Sequence, residues 1–329
     1  MSEAHGAATV YVTRALPEAA MTRLEEADDV RLVVNPHDRP VTREELLAGA
    51  GECAALICQL VDGIDEELLA AAPGLKVVAN YAVGYDNVDV AAATARRIPV
   101  TNTPGVLTDA TADHTWALLL AAARRVVEGD RLVRDGRWRG WAPQLLLGRG
   151  VAGKTLGIVG LGRIGLAVAR RAQGFGMRIL YASRRVRPLP PEVTAERVPL
   201  ERLLAEADFV SVHVPLGEQT RHLIGAAALE AMKPSAYLIN TARGPVVDEA
   251  ALVAALEAGS LAGAALDVFE EEPAVHPGLL GRDDVVLAPH TASATLEART
   301  AMGRIAVDNA LAVLRGQRPA SCVNPEVFD

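Results

Sequence analysis

The 329-residue sequence predicts an α/β protein built from two doubly wound parallel-sheet domains. Three observations point there. Short runs rich in Val and Ile alternate with helical stretches along the whole chain, which is the pattern of βαβ units feeding a parallel sheet. At roughly 150 residues per domain the length corresponds to about two domains. The strand series also begins afresh after a long helical stretch, with no low-complexity linker between the two series.

In the first series, ATVYVT (8–13), VRLVV (30–34), AALICQL (54–60), LKVVAN (75–80) and IPVTN (98–102) read as strands. Helices are expected near 17–27, 42–50, 65–72 and 88–96. One long helix is expected from Thr108 to Arg134, followed by the tryptophan-bearing loop GRWRGWAPQ. The second series comprises TLGIVG (155–160), MRILYAS (177–183), FVSVHVP (209–215), AYLINTA (236–242), GAALDVF (263–269) and VVLAPH (285–290). A last helix spans about Thr295 to Arg315, and the first domain crossing is expected near Asn102.

Composition excludes several classes of protein. Half the residues are hydrophobic and 22% are charged, which fits a globular chain with a large core and rules out disorder as the main state. A net charge of −8 disfavours nucleic acid, whose binding needs a concentrated basic surface. The apolar stretch Thr115–Ala123 ends at Arg124 and Arg125, short of the ~20 residues of a membrane span. The start MSEAHGAATVYVTR lacks the basic and apolar regions of a secretion signal, so a cytoplasmic location is expected. Three cysteines make no disulfide framework, and no His/Cys spacing indicates a metal site. Cys53 and Cys58, five apart in the expected strand, read as small core hydrophobes on opposite faces.

KTLGIVGLGRIG sets Gly160, Gly162 and Gly165 between a strand and a helix. In a dinucleotide-binding Rossmann unit the first glycine permits the tight turn, the second lets backbone approach a pyrophosphate, and the third lets helix and strand pack closely. The amides of Arg163 and Ile164, at the positive end of the helix dipole, would meet the phosphate charge. At the end of the next strand, NAD sites usually carry an acid that holds both ribose hydroxyls. Here Ser183 stands in its place, followed by Arg184 and Arg185. A carboxylate would repel a 2′-phosphate and guanidinium groups would attract it, by about 1.5–3 kcal/mol per charged hydrogen bond. NADP(H) is therefore the expected preference, with NAD(H) possible.

Three later strand ends carry candidate chemistry, since ligands of α/β sheets bind at the carboxyl ends of strands. They are Arg243 in NTARGPVVDE, Asp267 with Glu270, Glu271 and Glu272 in ALDVFEEEP, and His290 in VVLAPHTAS. Position alone does not select His290. His213 also ends a strand, His114 lies in a helix, and His5, His37, His222 and His276 fall in loops or polar stretches.

Over essentially its whole length the sequence resembles the D-isomer-specific 2-hydroxyacid dehydrogenase family. The matching segments are NYAVGYDNVD (80–89), TNTPGVLTDATAD (101–113), GLGRIG, VPL (214–216), INTARGPVVDE (239–249), LDVFEEEP (266–273) and PHTAS (289–293). Within the family it is most similar to the glyoxylate and hydroxypyruvate reductases, through VGYDN, the Trp141 loop and Ser-Arg-Arg. The resemblance implies two Rossmann-like domains with an active-site cleft between them. It also implies a split substrate-binding, flavodoxin-like domain (1–102 and 293–329) around a dinucleotide-binding domain (103–292).

The resemblance further implies His290 as acid/base, Glu272 as the carboxylate orienting it, and Arg243 as substrate anchor. Val83 and Gly84 are implied as amides holding the substrate carboxylate, and Trp141 as an aromatic reaching a neighbouring subunit of a homodimer. Val214, Pro215, Thr241, Asp267, Thr111 and Ser293 match positions near the cofactor. An imidazole titrates near ~6.5 and a carboxylate neighbour favours its charged form, so such a pair can protonate an alkoxide at neutral pH without a metal. The implied activity is reduction of glyoxylate and hydroxypyruvate with NADPH. Other activities of the family (2-ketogluconate reductase, phosphoglycerate or phosphite dehydrogenase) and a dinucleotide-sensing corepressor role stay open. The chain departs from the family pattern at Thr291-Ala292, commonly Ile-Gly, and at His114, usually apolar and read here as packing or interface.

Overall fold

The computed structural model describes residues 7–185 and 188–329, so His5 lies outside the described residues. The chain divides into two compact units, one formed by residues up to Leu107 with Ala294–Asp329, the other by Thr108–Ser293.

The first unit contains β1 (Ala8–Val12), α1 (Glu18–Glu25), β2 (Val30–Val34), α2 (Arg43–Gly51), β3 (Ala55–Cys58), α3 (Glu66–Ala71), β4 (Val77–Asn80), α4 (Val90–Ala95) and β5 (Val100–Thr101). Its five strands are parallel in the order β2-β1-β3-β4-β5, the flavodoxin-like winding. β3 and β4 are buried throughout, so β3 reads as an unbroken apolar run and β4 as one that ends only at Asn80, instead of alternating. Leu56, Leu68, Leu69, Val78 and Ala93 belong to one core cluster of this unit.

The chain returns to this unit at its C-terminal end, after leaving for the other. Asn324, itself buried, joins the two ends of the sequence: its Oδ1 accepts the Val100 N–H at 2.8 Å, and its Nδ2 donates to Ile98 O at 3.0 Å and Thr94 Oγ1 at 2.9 Å. Val323 N–H donates to Val100 O beside it at 2.8 Å.

The second unit contains α5 (Thr108–Ala123), α6 (Val126–Arg134), β6 (Thr155–Val159), α7 (Arg163–Gln173), β7 (Arg178–Ala182), β8 (Glu196–Arg197), α8 (Leu200–Glu206), β9 (Phe209–Val212), α9 (Ala226–Glu230), β10 (Tyr237–Asn240), α10 (Glu249–Glu257), β11 (Gly263–Leu266) and β12 (Val285–Leu287). The final helix α11 (Leu296–Leu314) belongs to the first unit. The seven strands are parallel in the order β12-β11-β10-β9-β6-β7-β8. Alternate residues feed the two faces: Leu180, Val210, Leu238 and Leu266 pack in one cluster, and Ile158, Ile179, Phe209 and Ile239 in another. The winding reverses between β6 and β9, and such a switch point is where an open α/β sheet opens a crevice at its carboxyl edge.

The sequence expectations fail in four places. The helix expected over Thr108–Arg134 is broken in two at Arg125, whose φ of 55° is left-handed. The reason is a competing partner: Arg149 N–H bonds the Ala123 carbonyl at 2.7 Å, and Gly148 passes so close that a Cβ there would lie 2.3 Å from the same oxygen. Cys53 precedes β3 instead of lying in it, although it is buried and desolvation pushes its thiol up to about 12. The two-residue β8 had no apolar signal. The first seam follows Leu107 instead of Asn102, the Thr103 N–H still bonding Ala82 O at 2.9 Å. Among the described residues no helix is long and apolar enough to cross a membrane.

Asn324→Ala is expected to lower unfolding free energy in urea by roughly 2–4 kcal/mol, because it strands the Val100 N–H and the Ile98 carbonyl in the interior.

Candidate active site

The glycine loop follows β6. Gly160 has a φ of 99°, and a Cβ on it would meet His213 backbone and Val214 Cγ1 at 2.8 Å. At Gly165 a Cβ would lie 2.3 Å from Gly160 O, so loop and helix approach as closely as the third glycine of the pattern requires. Gly162 is the N-cap of α7, and a Cβ there would meet nothing within 4 Å. The amides of Arg163 and Ile164 open the helix with no hydrogen-bond partner among the described residues. Free amides, a helix dipole and open space beside Gly162 fit a dinucleotide pyrophosphate. Val214 packs over the loop, and exposed Pro215 has its carbonyl bonded by Thr220 Oγ1 at 2.7 Å.

Ser183, Arg184 and Arg185 follow β7 as expected. Arg184 donates to Gln219 Oε1 at 2.9 Å, and Arg197 donates to Ser183 O at 3.0 Å. Sequence reading missed Arg197, because it comes from β8.

Arg243 leaves β10 through a turn set by buried Asn240, whose Nδ2 donates to Arg243 O at 2.9 Å and whose Oδ1 accepts the Ala242 N–H at 3.0 Å. The next residue must be glycine, since a Cβ on Gly244 would fall 1.8 Å from Phe269 O. That contact brings the Arg243 turn against the loop carrying the three glutamates. Each glutamate has a separate place. Glu270 exchanges backbone and side-chain bonds with Glu249 at the start of α10 and accepts from His222 Nε2 at 2.6 Å. Glu271 is exposed. Glu272 turns inward, Oε1 accepting the Phe269 N–H at 3.0 Å and Oε2 accepting from His290 Nδ1 at 2.7 Å.

A carboxylate only accepts, so Nδ1 of His290 carries the proton of that bond and Nε2 is left for another partner. Burial pushes the Glu272 carboxyl up, but the bond and charge of His290, the Phe269 N–H and the charge of Arg243 together outweigh it and hold the group below its ordinary value. His290 has a φ of 52°, a left-handed conformation that costs a non-glycine residue of order 1–3 kcal/mol unless its surroundings enforce it. The enforcement comes from Asp267, fully buried after β11: its carbonyl accepts the His290 N–H at 2.8 Å, and its carboxylate accepts the amides of Thr291 and Ala292, each at 2.8 Å.

The rival histidine at a strand end is now distinguishable. His213 has no carboxylate partner among the described residues, its Nε2 pairs with Ser211 Oγ at 2.7 Å, and burial pushes its imidazole down to about 3. It is neutral at neutral pH and unsuited to donate as an imidazolium. His114, expected to serve packing or an interface, places its Nε2 3.2 Å from Asp267 Oδ1. Thr111 and Thr241 are buried, and Thr115 Oγ1 links them, 2.8 Å from each of Thr111 O and Thr241 Oγ1. Ser293 ends the second unit, half-buried.

In the first unit, the turn after β4 presents Val83 and Gly84. Asn102 Nδ2 donates to Val83 O and Asn80 Nδ2 to Gly84 O, both at 2.8 Å, while the two amides have no partner among the described residues. The asparagines of NYAVGYDN and TNTPG are thus what shape this turn, a role their spacing did not disclose. Trp141 is 84% exposed.

Comparison with known proteins agrees with this geometry. Residues 116–292 match the model of the D-isomer specific 2-hydroxyacid dehydrogenase, NAD binding domain. The chain is 53% identical to a glyoxylate reductase of Korarchaeum cryptofilum, with 97% of this chain and 96% of the relative aligned. It is 52% identical to a glyoxylate reductase of Pyrococcus furiosus, over 97% and 96% of the two chains. Its fold superposes on the NADPH-dependent glyoxylate/hydroxypyruvate reductase of Sinorhizobium meliloti, solved with NADP and malonate, with a TM-score of 0.85, 37% identity and 97% coverage of each chain. With its glycine loop, its winding and its histidine–glutamate pair, the chain belongs to the D-isomer specific 2-hydroxyacid dehydrogenases, and so to the NAD(P)-dependent oxidoreductases.

Proposed function

We propose that this protein is an NADPH-preferring reductase of small 2-oxo acids, converting glyoxylate to glycolate and hydroxypyruvate to D-glycerate. The observation that carries the proposal is the 2.7 Å bond between His290 Nδ1 and Glu272, which leaves Nε2 as a proton donor. The names of the relatives support the substrate class.

When bound, the dinucleotide supplies a hydride to C2 of the 2-oxo acid. The chain's own groups do the rest. Arg163 and Ile164 amides would hold the pyrophosphate, and Ser183, Arg184 and Arg185 the 2′-phosphate. Arg243 pairs with the substrate's carbonyl and carboxylate oxygens, polarising the first and fixing the second. The amides of Val83 and Gly84, whose carbonyls are tied down, take up the carboxylate. His290 gives its Nε2 proton to the carbonyl oxygen, and Glu272 stabilises the imidazolium before that transfer. The reaction consumes one 2-oxo acid, one reduced dinucleotide and one proton.

The protein is proposed to act in the cytoplasm as a homodimer. Support for the dimer lies in 126–147, where Val126, Val133, Trp138, Trp141, Leu145 and Leu147 are all exposed and α6 buries no residue. Trp141 is then the residue offered to the neighbouring subunit.

Initial rates on both substrates with both cofactors test the specificity. NADPH is expected to give the higher kcat/KM, by roughly ten- to a hundredfold from one well-placed charged bond; a higher value with NADH overturns the preference. His290→Asn is expected to lower kcat by roughly a hundredfold or more while dinucleotide affinity, measured by fluorescence, stays near parental. The Glu272 carboxyl lies below its ordinary 4.5, so its contribution to stability is complete above that pH and is lost as pH falls through the lower folded value. The stability deficit of Glu272→Gln, measured in urea, is therefore expected to be largest near neutral pH and to shrink in acid.

A further inference from the structure

Two side chains that the proposed chemistry does not use meet on one buried oxygen. Asp267 Oδ1 accepts the Thr291 N–H at 2.8 Å and lies 3.3 Å from Thr291 Oγ1 and 3.2 Å from His114 Nε2. Its Oδ2 takes the Ala292 N–H at 2.8 Å. A carboxylate has no proton to give, so both the hydroxyl and the imidazole of this group act as donors. His114 is held where it can do so, because its neighbours in α5 are anchored: Thr115 Oγ1 to Thr241 Oγ1 at 2.8 Å, and Trp116 Nε1 to Val168 O at 3.2 Å.

We propose that His114 and Thr291 form with Asp267 one positioning unit, which fixes the Asp267 carboxylate and through it the left-handed turn that aims His290. The inference rests on His290 being the proton donor. A backbone turn held by one carboxylate is sensitive to how that carboxylate is rotated. With donors at Oδ1 from α5 and from the turn itself, rotation about the Asp267 side chain breaks several bonds at once. Simple packing by His114 predicts something different, namely that its loss and the loss of the Thr291 hydroxyl act independently.

A double-mutant cycle separates the two. The variants are His114→Leu, Thr291→Val and the pair, with His114→Gln as a replacement that keeps a donor. Each apolar single is expected to lower kcat for glyoxylate with NADPH by roughly tenfold, the worth of one bond to a charged group, with KM and NADPH affinity within about twofold. The pair is expected to be no slower than the worse single, and His114→Gln to recover most of kcat. Amide hydrogen exchange over 288–293 is expected to quicken in both apolar singles. Losses that multiply in the pair overturn the proposal, as does a His114→Gln variant as impaired as His114→Leu. If the parent protein reduces no 2-oxo acid, the proposed function falls, and exchange decides the positioning unit by itself: unchanged exchange at 288–293 in both singles overturns it. Should His114→Leu fail to fold, unchanged kcat and exchange in Thr291→Val overturn it equally.

Discussion

The hydrogen bond between His290 Nδ1 and Glu272 Oε2 sets requirements that reach across three strand ends. It needs a carboxylate kept charged away from bulk water, and desolvation opposes that charge. The opposition is met locally, by the imidazole, the Phe269 amide and the charge of Arg243. Arg243 can come that close only because Gly244 lets the β10 turn touch the backbone at Phe269. The glutamate loop is in turn fastened to α10 by the Glu249–Glu270 exchange, so that its inward member is not free to swing. The imidazole has its own condition, a left-handed backbone that Asp267 maintains.

The apolar sheet and the polar site obey one geometric rule. Strands buried on both faces carry side chains the core demands, and chemistry is confined to the residues just past their carboxyl ends. Gly160, Ser183, His213, Thr241 and Asp267 all occupy that edge, each within a residue of its strand's end. The edge therefore holds buried polar groups at high density, and nearly every one has partners. His213 shows the consequence of an edge position with no carboxylate partner among the described residues: burial pushes its imidazole down to about 3 and so keeps it neutral.

Because chemistry gathers at strand ends, much of the site was legible in the sequence. The glycine loop, Ser-Arg-Arg and Arg243 stood next to runs whose apolar character announced strands, while Glu272 and His290 were singled out among the other acids and histidines by the family resemblance. What stayed hidden has physical reasons. The break at Arg125 depends on Arg149, 24 positions later, taking the Ala123 carbonyl, and local periodicity carries no trace of that competition. β8 is two charged residues on a sheet edge, so it lacks the apolar signature by which strands are read. The contact of His114 with Asp267 joins residues 153 positions apart, so the helix sequence alone gave no sign of it. Asn80 and Asn102 were visible only as parts of matched segments, and their task of holding two carbonyls emerges from the fold.

The distribution of charge follows the same division. The chain is acidic overall, yet arginines stand at the end of β7 and at the end of β10, where the proposed function has a phosphate and a small acid. Arginine suits both places because its planar fork can serve two oxygens at once and its charge does not titrate in the working range. Elsewhere its guanidinium is used up in surface pairs such as Arg43 with Asp65 and Glu67, or Arg178 with Glu196 and Glu206. Such exposed pairs contribute little to stability. They do neutralise the cation, so an anionic ligand is drawn less to those surfaces than to the strand ends. In the proposed reaction, the local placement of arginine determines where a small acid and a phosphate are received.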